Sequence, residues 1–395
     1  MPRMGNGDAE YPDNCETTMS TLPPGYSPGL EGIIAGETAI CSVEDGLRYR
    51  GYAVSDLANQ TSFDEVAYLL LYGDLPSNSE FQRFQARVAM ARRLPHPVRD
   101  LLPHLPNWTP PLDALRTAVS ALAHFDQDVA DNSHEANLRK AERLLAQIPV
   151  VIADYHRFSQ GLQPIAARQD LSHSANFLYM LRGTEASETE VRALDVSLIL
   201  YAEHELNAST FAARVIASTL SDLHSAITGA IGALKGSLHG GANEKVMDIL
   251  REAGGPDTAE RWAVERLQRK ERIMGFGHRV YKQGDERAKL LKQLTRQVAE
   301  ERGPDFLGWE ETAERIEAIV FREKGLLPNL DWPAGRLYNA LELAVPLYTP
   351  IFAMARVAGW SAHVIEQLDH NRLIRPRAQY IGPGPRVVVP LQQRA

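Results

Sequence analysis

Cysteine is almost missing from this chain: there are two in 395 residues, Cys15 and Cys41, both near the start. That excludes a disulfide framework and a cysteine-rich zinc site, and it suits a reducing compartment. A clean apolar run of the roughly 20 residues that a membrane helix needs is also missing. The nearest approach, Leu343 to Trp360, contains Pro346, Pro350 and Arg356 and reads as a buried helix entered through prolines. The first 29 residues have no apolar core of a secretory signal and are expected to be a flexible or docking arm. Nor is there an excess of positive charge: 42 Lys and Arg stand against 50 Asp and Glu, a formal net charge of −8. A broad electrostatic grip on nucleic acid is therefore excluded, and any anionic ligand must be held by a few local cations. A cytoplasmic protein that binds neither nucleic acid nor membrane is expected.

Helix signals dominate what is present. Ser62-Phe63-Asp64-Glu65 has the pattern of a capping box, followed by Val66, Leu69 and Leu70 at helical spacing and by Gly73 as a stop. The same start recurs at Ser77…Glu80 and Ser187…Glu190. Further helices are expected at 112–127, 135–147, 170–182, 207–234, 242–252, 286–301, 309–323, 335–344 and 347–359. Strand signals are thin. Ile33 to Ile40 and Leu47 to Tyr49, joined by Asp45-Gly46, read as a hairpin, and Val387 to Val389 as one more short strand. No repeat of 20–50 residues is visible. The expected class is all-α with a minor N-terminal β-hairpin. The stretch 207–234, rich in Ala, Ser, Thr and Gly, suits either the centre of a helical stack or a subunit interface.

Several catalytic patterns start and then fail. His204-Glu205 opens a zincin-like string, but the second His position is Ala208. Gly275-Phe276-Gly277 opens a dinucleotide fingerprint, but its third Gly position is Val280. Ser237 lacks the flanking glycines of a nucleophile elbow. No metal site and no resident cofactor are expected.

Three segments hold. In Lys235-Gly-Ser-Leu-His-Gly-Gly-Ala-Asn243, His239 lies among glycines just before a helix start, which disfavours the imidazolium and leaves a neutral, hydrogen-bond-donating ring; a capping His in a tight turn explains it equally well. In Met274-Gly-Phe-Gly-His-Arg-Val-Tyr-Lys282, His278 is crowded by cations, as a group polarising an anionic substrate's carbonyl would be; a solvated basic loop is the plainer alternative. In Leu327-Pro-Asn-Leu-Asp-Trp-Pro333, Asp331 lies in an apolar stretch between prolines. Burial raises a carboxyl pKa toward the range of a general base, although a helix cap would also place an Asp there.

Taken together with Gly29-Leu-Glu-Gly32, Tyr49-Arg-Gly-Tyr52, Ser62 to Gly73, His204-Glu-Leu-Asn-Ala-Ser-Thr-Phe211, Gly359-Trp-Ser-Ala-His363 and Asn371-Arg-Leu-Ile-Arg-Pro376, these segments resemble the citrate synthase family, in the family's order, from about Gly29 to Pro383. The resemblance implies a two-domain helical fold: a large domain of 30–235 plus 343–395, and a small domain of 236–342 inserted into it. It implies that Asp331 takes a proton from the acyl group of an acyl-CoA, that His239 stabilises the resulting enol(ate), and that His278 polarises the ketone of oxaloacetate. His204, Arg287, Arg356 and Arg375 match the positions that hold oxaloacetate, and Lys282 a position near the CoA phosphates. Arg375 is expected to reach the partner's site in a homodimer of the smaller type. The implied reaction is condensation of acetyl-CoA with oxaloacetate to citrate, with propionyl-CoA and 2-methylcitrate as the alternative and a non-catalytic helical scaffold as a remoter one. Two departures stand out. Glu286 replaces the proline common between Asp285 and Arg287, and Trp332-Pro333 follows Asp331 at positions expected near the acyl group.

Overall fold

The computed structural model describes residues 27–44, 46–278, 281 and 284–394. Two compact units are distinguished, Met1–Thr38 and Ala39–Ala395. The described part of the first contains a single 3-10 turn, Pro28–Leu30.

The second unit is built almost wholly of helices, sixteen among the described residues. In chain order they are α1 (Val54–Gln60), α2 (Phe63–Tyr72), α3 (Asn78–Met90), α4 (His96–Leu101), α5 (Pro111–Leu122), α6 (His134–Ser159), α7 (His173–Arg182) and α8 (Glu188–Tyr201). There follow α9 (Ala208–Ser218), α10 (Leu223–Leu234), α11 (Ala242–Ala253), α12 (Pro256–Gln268), α13 (Glu286–Arg302), α14 (Pro304–Lys324), α15 (Asp331–Ala340) and α16 (Tyr348–Asp369). All three expected capping boxes form, with each Ser accepting from the N3 amide while the N3 Glu accepts from the cap residue's own N–H. Among the described residues, no helix is long and apolar enough to cross a membrane.

The β fringe differs from expectation. Cys41–Ser42 (β1), Arg48–Tyr49 (β2) and Tyr52–Ala53 (β3) form an antiparallel sheet in the order β1-β2-β3. Residues 33–38 form no strand, and pairing begins only at Cys41, where the buried Tyr49 comes opposite. Val387–Val389 forms no strand either; it lies in an exposed segment after α16 without regular secondary structure. The single long helix expected over 207–234 is two. Leu220 takes a left-handed φ of +67°, and Asp222 caps α10 by accepting from the Ser225 amide. The small residues serve the contact between these two helices: a Cβ on Gly229 would sit 2.2 Å from the Ile216 Cδ1.

α16 runs through the centre, packed by α6, α8, α9 and α10. From Tyr348 to Ile365 every residue is buried except Phe352. α11 to α15 pack largely on one another, and α13 also rests on α8.

One buried carboxylate in this core carries a pH signature. Asp195 of α8 accepts from the Phe63 N–H at 2.9 Å and from the Ser174 hydroxyl at 2.7 Å, tying α8 to the starts of α2 and α7. Burial, with nearby Asp64 adding to it, pushes its pKa from 3.8 up to about 6. The folded protein thus holds a proton that the unfolded chain has released, so this contribution is complete below about pH 4 and is lost as the pH rises to about 6. Asp195→Asn keeps both hydrogen bonds, since a hydroxyl can also accept. It should flatten this slope and raise stability at pH 7 by up to about 3 kcal/mol. Urea unfolding of both proteins from pH 4 to 8 measures this, and parallel curves would contradict it.

Candidate active site

The C-terminal end of α8 and the turn after it form the floor of the site. The last carbonyls of a helix have no partner within it and attract donors and cations. Here the Tyr49 hydroxyl, itself fully buried, lies 3.0 Å from both the Ile199 and Glu203 carbonyl oxygens. Arg356 of α16 donates its Nε to the Tyr201 carbonyl at 2.5 Å, and Arg287 of α13 reaches the Leu200 carbonyl at 3.5 Å through Nη1. Two guanidinium groups from distant parts of the chain are thereby brought to one helix end. Both are buried.

Each arginine has a different setting. Arg287 is held by Asp285 in a two-pronged pair, Nε to Oδ1 at 2.9 Å and Nη2 to Oδ2 at 2.8 Å. The Asp285 carboxylate also accepts from the Leu330 N–H at 3.1 Å, one residue before Asp331. Despite its burial, the pair holds Asp285 below the usual carboxylate range. Arg356 stacks on the Phe352 ring, 4.6 Å from its centroid, and burial lowers its pKa against the opposing pull of Glu203. Its remaining donors make no hydrogen bond among the described residues.

Asp331 is the first residue of α15, not a cap ahead of it. The Tyr201 hydroxyl donates to its Oδ1 at 2.6 Å. Burial raises the Asp331 pKa, with the Tyr201 bond and Arg287 opposing the rise. Trp332 does not face this space. Its indole donates to Glu317 at 2.8 Å, packs on Phe276 with centroids 4.7 Å apart, and lies so close to Gly275 that a Cβ there would meet it at 2.8 Å. It is the anchor that holds α15 on α14, with Arg336 bonded to the same Glu317 at 3.0 Å.

Two of the three segments singled out in the sequence, those of His278 and Asp331, are physically joined. The Gly277 N–H donates to the Leu327 carbonyl and the Asn329 N–H to the Gly275 carbonyl, each at 2.9 Å, while the Asn329 side chain reaches the Gly277 carbonyl at 3.0 Å. His278 accepts at Nδ1 from the Tyr281 N–H at 3.3 Å, which leaves the proton of a neutral ring on Nε2. The His278 and Tyr281 rings stack at 4.5 Å, and the Tyr281 hydroxyl lies 2.9 Å from the His204 Nε2. The His204 and His278 rings are 5.2 Å apart, and burial, helped by Arg287 and Arg356, drives the His204 pKa well below the ordinary value.

The His239 Nε2 accepts from the Ser209 N–H at 3.3 Å and lies 2.8 Å from the Ser209 hydroxyl. A backbone amide can only donate, so the ring proton belongs on Nδ1. Burial first, then Arg356, brings the His239 pKa down to about 4. The ring is neutral as expected from the sequence, but desolvation and Arg356 are the leading causes. Phe352 links these parts: its ring lies 4.6 Å from that of Tyr201 and 6.4 Å from that of His239.

His204, His239, His278, Arg287, Asp331 and Arg356 thus belong to one connected set. Arg375 does not join it; it lies exposed on the segment after α16, with no hydrogen bond or ion pair among the described residues. Lys282 lies outside the described residues. Tyr201, Glu203 and Phe352 were not singled out in the sequence. Tyr201 and Glu203 flank Ala202 immediately before the His204 motif, and a carboxylate ending an apolar helix was the signal available for Glu203. Phe352 gave none.

Residues 29–377 match the family model described as Citrate synthase, C-terminal domain. A Bacillus subtilis (strain 168) protein named Citrate synthase 2 is 46% identical over 93% of this chain and 99% of its own length. A Mycobacterium tuberculosis (strain H37Rv) protein named 2-methylcitrate synthase is 45% identical over 92% of this chain and 93% of its own length. The chain also superposes, with a TM-score of 0.87 and 34% identity, on a ternary complex of carboxymethyl coenzyme A and oxaloacetate with citrate synthase from Thermoplasma acidophilum; 93% of this chain and 99% of that one are covered.

Proposed function

Because this chain belongs to the citrate synthase family, whose members condense an acyl-CoA with oxaloacetate, we propose that it joins acetyl-CoA to oxaloacetate and water to give citrate and CoA, with these residues in named roles. The observation that carries the reading is the opposed setting of the two proton-handling groups around Phe352: a carboxylate raised by burial and a neutral imidazole with its proton on Nδ1.

Asp331 takes a proton from the acyl α-carbon. Tyr201 occupies Oδ1, so Oδ2 is the oxygen free to act as base. The electron pair moves onto the thioester oxygen, where the His239 Nδ1–H stabilises it. The α-carbon then attacks the ketone carbon of oxaloacetate, whose oxygen takes a hydrogen bond and then a proton from the His278 Nε2. Water adds to the thioester carbon and its hydroxyl stays there as the new carboxyl; its other proton restores His278, and the proton taken by Asp331 leaves with the CoA sulfur. The donors of Arg356 and the Nη1 of Arg287, with His204, hold the oxaloacetate carboxylates. Closure of residues 236–342 over 30–235 and 343–395 excludes water during the reaction.

Trp332 points away from the reacting groups, so Phe352 and Tyr201 are the side chains that limit the acyl group. One methylene is worth only about 1–3 kcal/mol of discrimination in a hydrophobic pocket. Propionyl-CoA is therefore the second reading, supported by the relative named for 2-methylcitrate. Comparing kcat/KM for the two donors with oxaloacetate, by following thiol release, should favour acetyl-CoA; a propionyl preference above about tenfold would reverse the assignment.

Tyr201→Phe removes a hydrogen bond that stabilises the ionised Asp331. The acid limb of kcat against pH should therefore move upward by about one pH unit. An unmoved limb would mean that Asp331 is not the base.

Arg375 completes the oxaloacetate site only if a second copy supplies it. The exposed apolar residues around it, Leu373, Tyr380, Ile381 and Val387 to Val389, support a homodimer in which this segment lies across the partner. Light scattering of the active enzyme should give twice the chain mass; full activity in a monomer would exclude the arrangement.

A further inference from the structure

Glu203 is fully buried between the end of α8 and His204, yet none of the roles above uses it. Its Oε1 takes a hydrogen bond from the His363 Nε2 at 2.9 Å. The His363 Nδ1 lies 3.0 Å from an Arg214 nitrogen, which can only donate, so the proton of the neutral ring is on Nε2 and the direction of the first bond is fixed. Arg214 also donates to Glu366 at 2.6 Å and to Gln367 at 3.1 Å. The second oxygen of Glu203 is buried and has no hydrogen bond among the described residues. It sits in a notch left by Gly359, where a Cβ would come within 2.2 Å of it.

Arg356, Gly359 and His363 are spaced so that they share one face of α16. The face that carries the Arg356 cation therefore also carries the notch and the hydrogen bond that fix the carboxylate. Among the acidic groups Glu203 acts most strongly on Arg356, although no ion pair joins the two. Arg356 does not depend on it for position, because its Nε is pinned to the Tyr201 carbonyl and its plane to Phe352. What Glu203 supplies is charge at fixed distance.

Building on the proposed function, we propose that Glu203 is a positioning residue of a particular kind: a standing counter-charge, locked by His363 and Arg214, that lets Arg356 remain ionised and buried while the site is empty. A substrate carboxylate takes over that duty when it arrives. Glu203 then becomes a like charge to the substrate, so the same residue that stabilises the empty enzyme weakens its hold on oxaloacetate.

Glu203→Gln tests this by removing the charge at constant shape. The thermal midpoint of the free protein should fall, the further rise on adding saturating oxaloacetate should exceed that of the wild type, and KM for oxaloacetate should drop by about three- to tenfold with kcat little changed. Glu203→Asp keeps the charge and should keep the wild-type oxaloacetate shift even if the protein is less stable. His363→Leu strips the carboxylate of the hydrogen bond that fixes it in place, so it should act in the direction of Glu203→Gln and serves if that variant does not fold. A KM that rises in Glu203→Gln, or an oxaloacetate shift no larger than that of the wild type, overturns the inference and leaves Glu203 a packing residue. Absence of any oxaloacetate shift in the wild type would instead overturn the binding role of Arg356, and this inference with it.

Discussion

The unpaired carbonyls at the end of α8 are the constraint on which the site depends. A helix that stops inside a protein must satisfy its last carbonyls, and here the donors are Tyr49, Arg287 and Arg356. The three come from the β fringe, from α13 and from α16, so one helix end gathers parts separated by hundreds of residues. The same helix supplies Tyr201, whose hydroxyl holds Asp331 and whose carbonyl holds Arg356. The proposed base and one proposed carboxylate-binding cation are thus registered to each other through a single residue.

Charge in this region is balanced locally. Arg287 is neutralised by direct pairing with Asp285, and Arg356 at a distance by Glu203. A chain with a net charge of −8 can therefore keep two buried guanidinium groups without a cationic surface. Direct pairing and distant compensation have different effects. Asp285 spends two of Arg287's donor positions, whereas Glu203 leaves the outer donors of Arg356 available. Burying an unpaired cation would cost several kcal/mol, and the two carboxylates offset that in these two ways.

Much of this was legible in the sequence, for reasons that differ by element. The capping boxes at Ser62, Ser77 and Ser187 were readable because each is a closed local circuit within four residues. His239, His278 and Asp331 stood out because their neighbours are glycines, prolines and cations that ordinary helices avoid, whereas His204 entered the site only through the family resemblance. The break between α9 and α10 was missed because the small residues of 207–234 continue across it. The strand expected over Ile33 to Ile40 had a β-like composition but no partner to pair with. Trp332 was misplaced toward the acyl group because adjacency in sequence to Asp331 says nothing about direction; its ring turns back toward Glu317. Phe352 and Tyr201 were passed over because their meaning comes from contacts with residues far away in the chain, and the one signal for Glu203, a carboxylate ending an apolar helix, does not reveal its partners.

Gly335 shows what such long-range fitting demands. It lies inside α15, four residues after Asp331, where a Cβ would stand 2.6 Å from the Asn243 carbonyl oxygen and 2.9 Å from the Val246 Cβ. The opposing atoms belong to α11, whose first turn follows directly on the His239 loop. The helix that starts at Asp331 thus meets the helix that follows His239 at close range, a bare Cα set against the Asn243 carbonyl and the stiff, β-branched Val246 side chain. Any residue larger than glycine would act as a wedge at this crossing, spreading the two groups apart while leaving both chemically intact. The separation of Asp331 from His239 depends here on an atom that the chain leaves out.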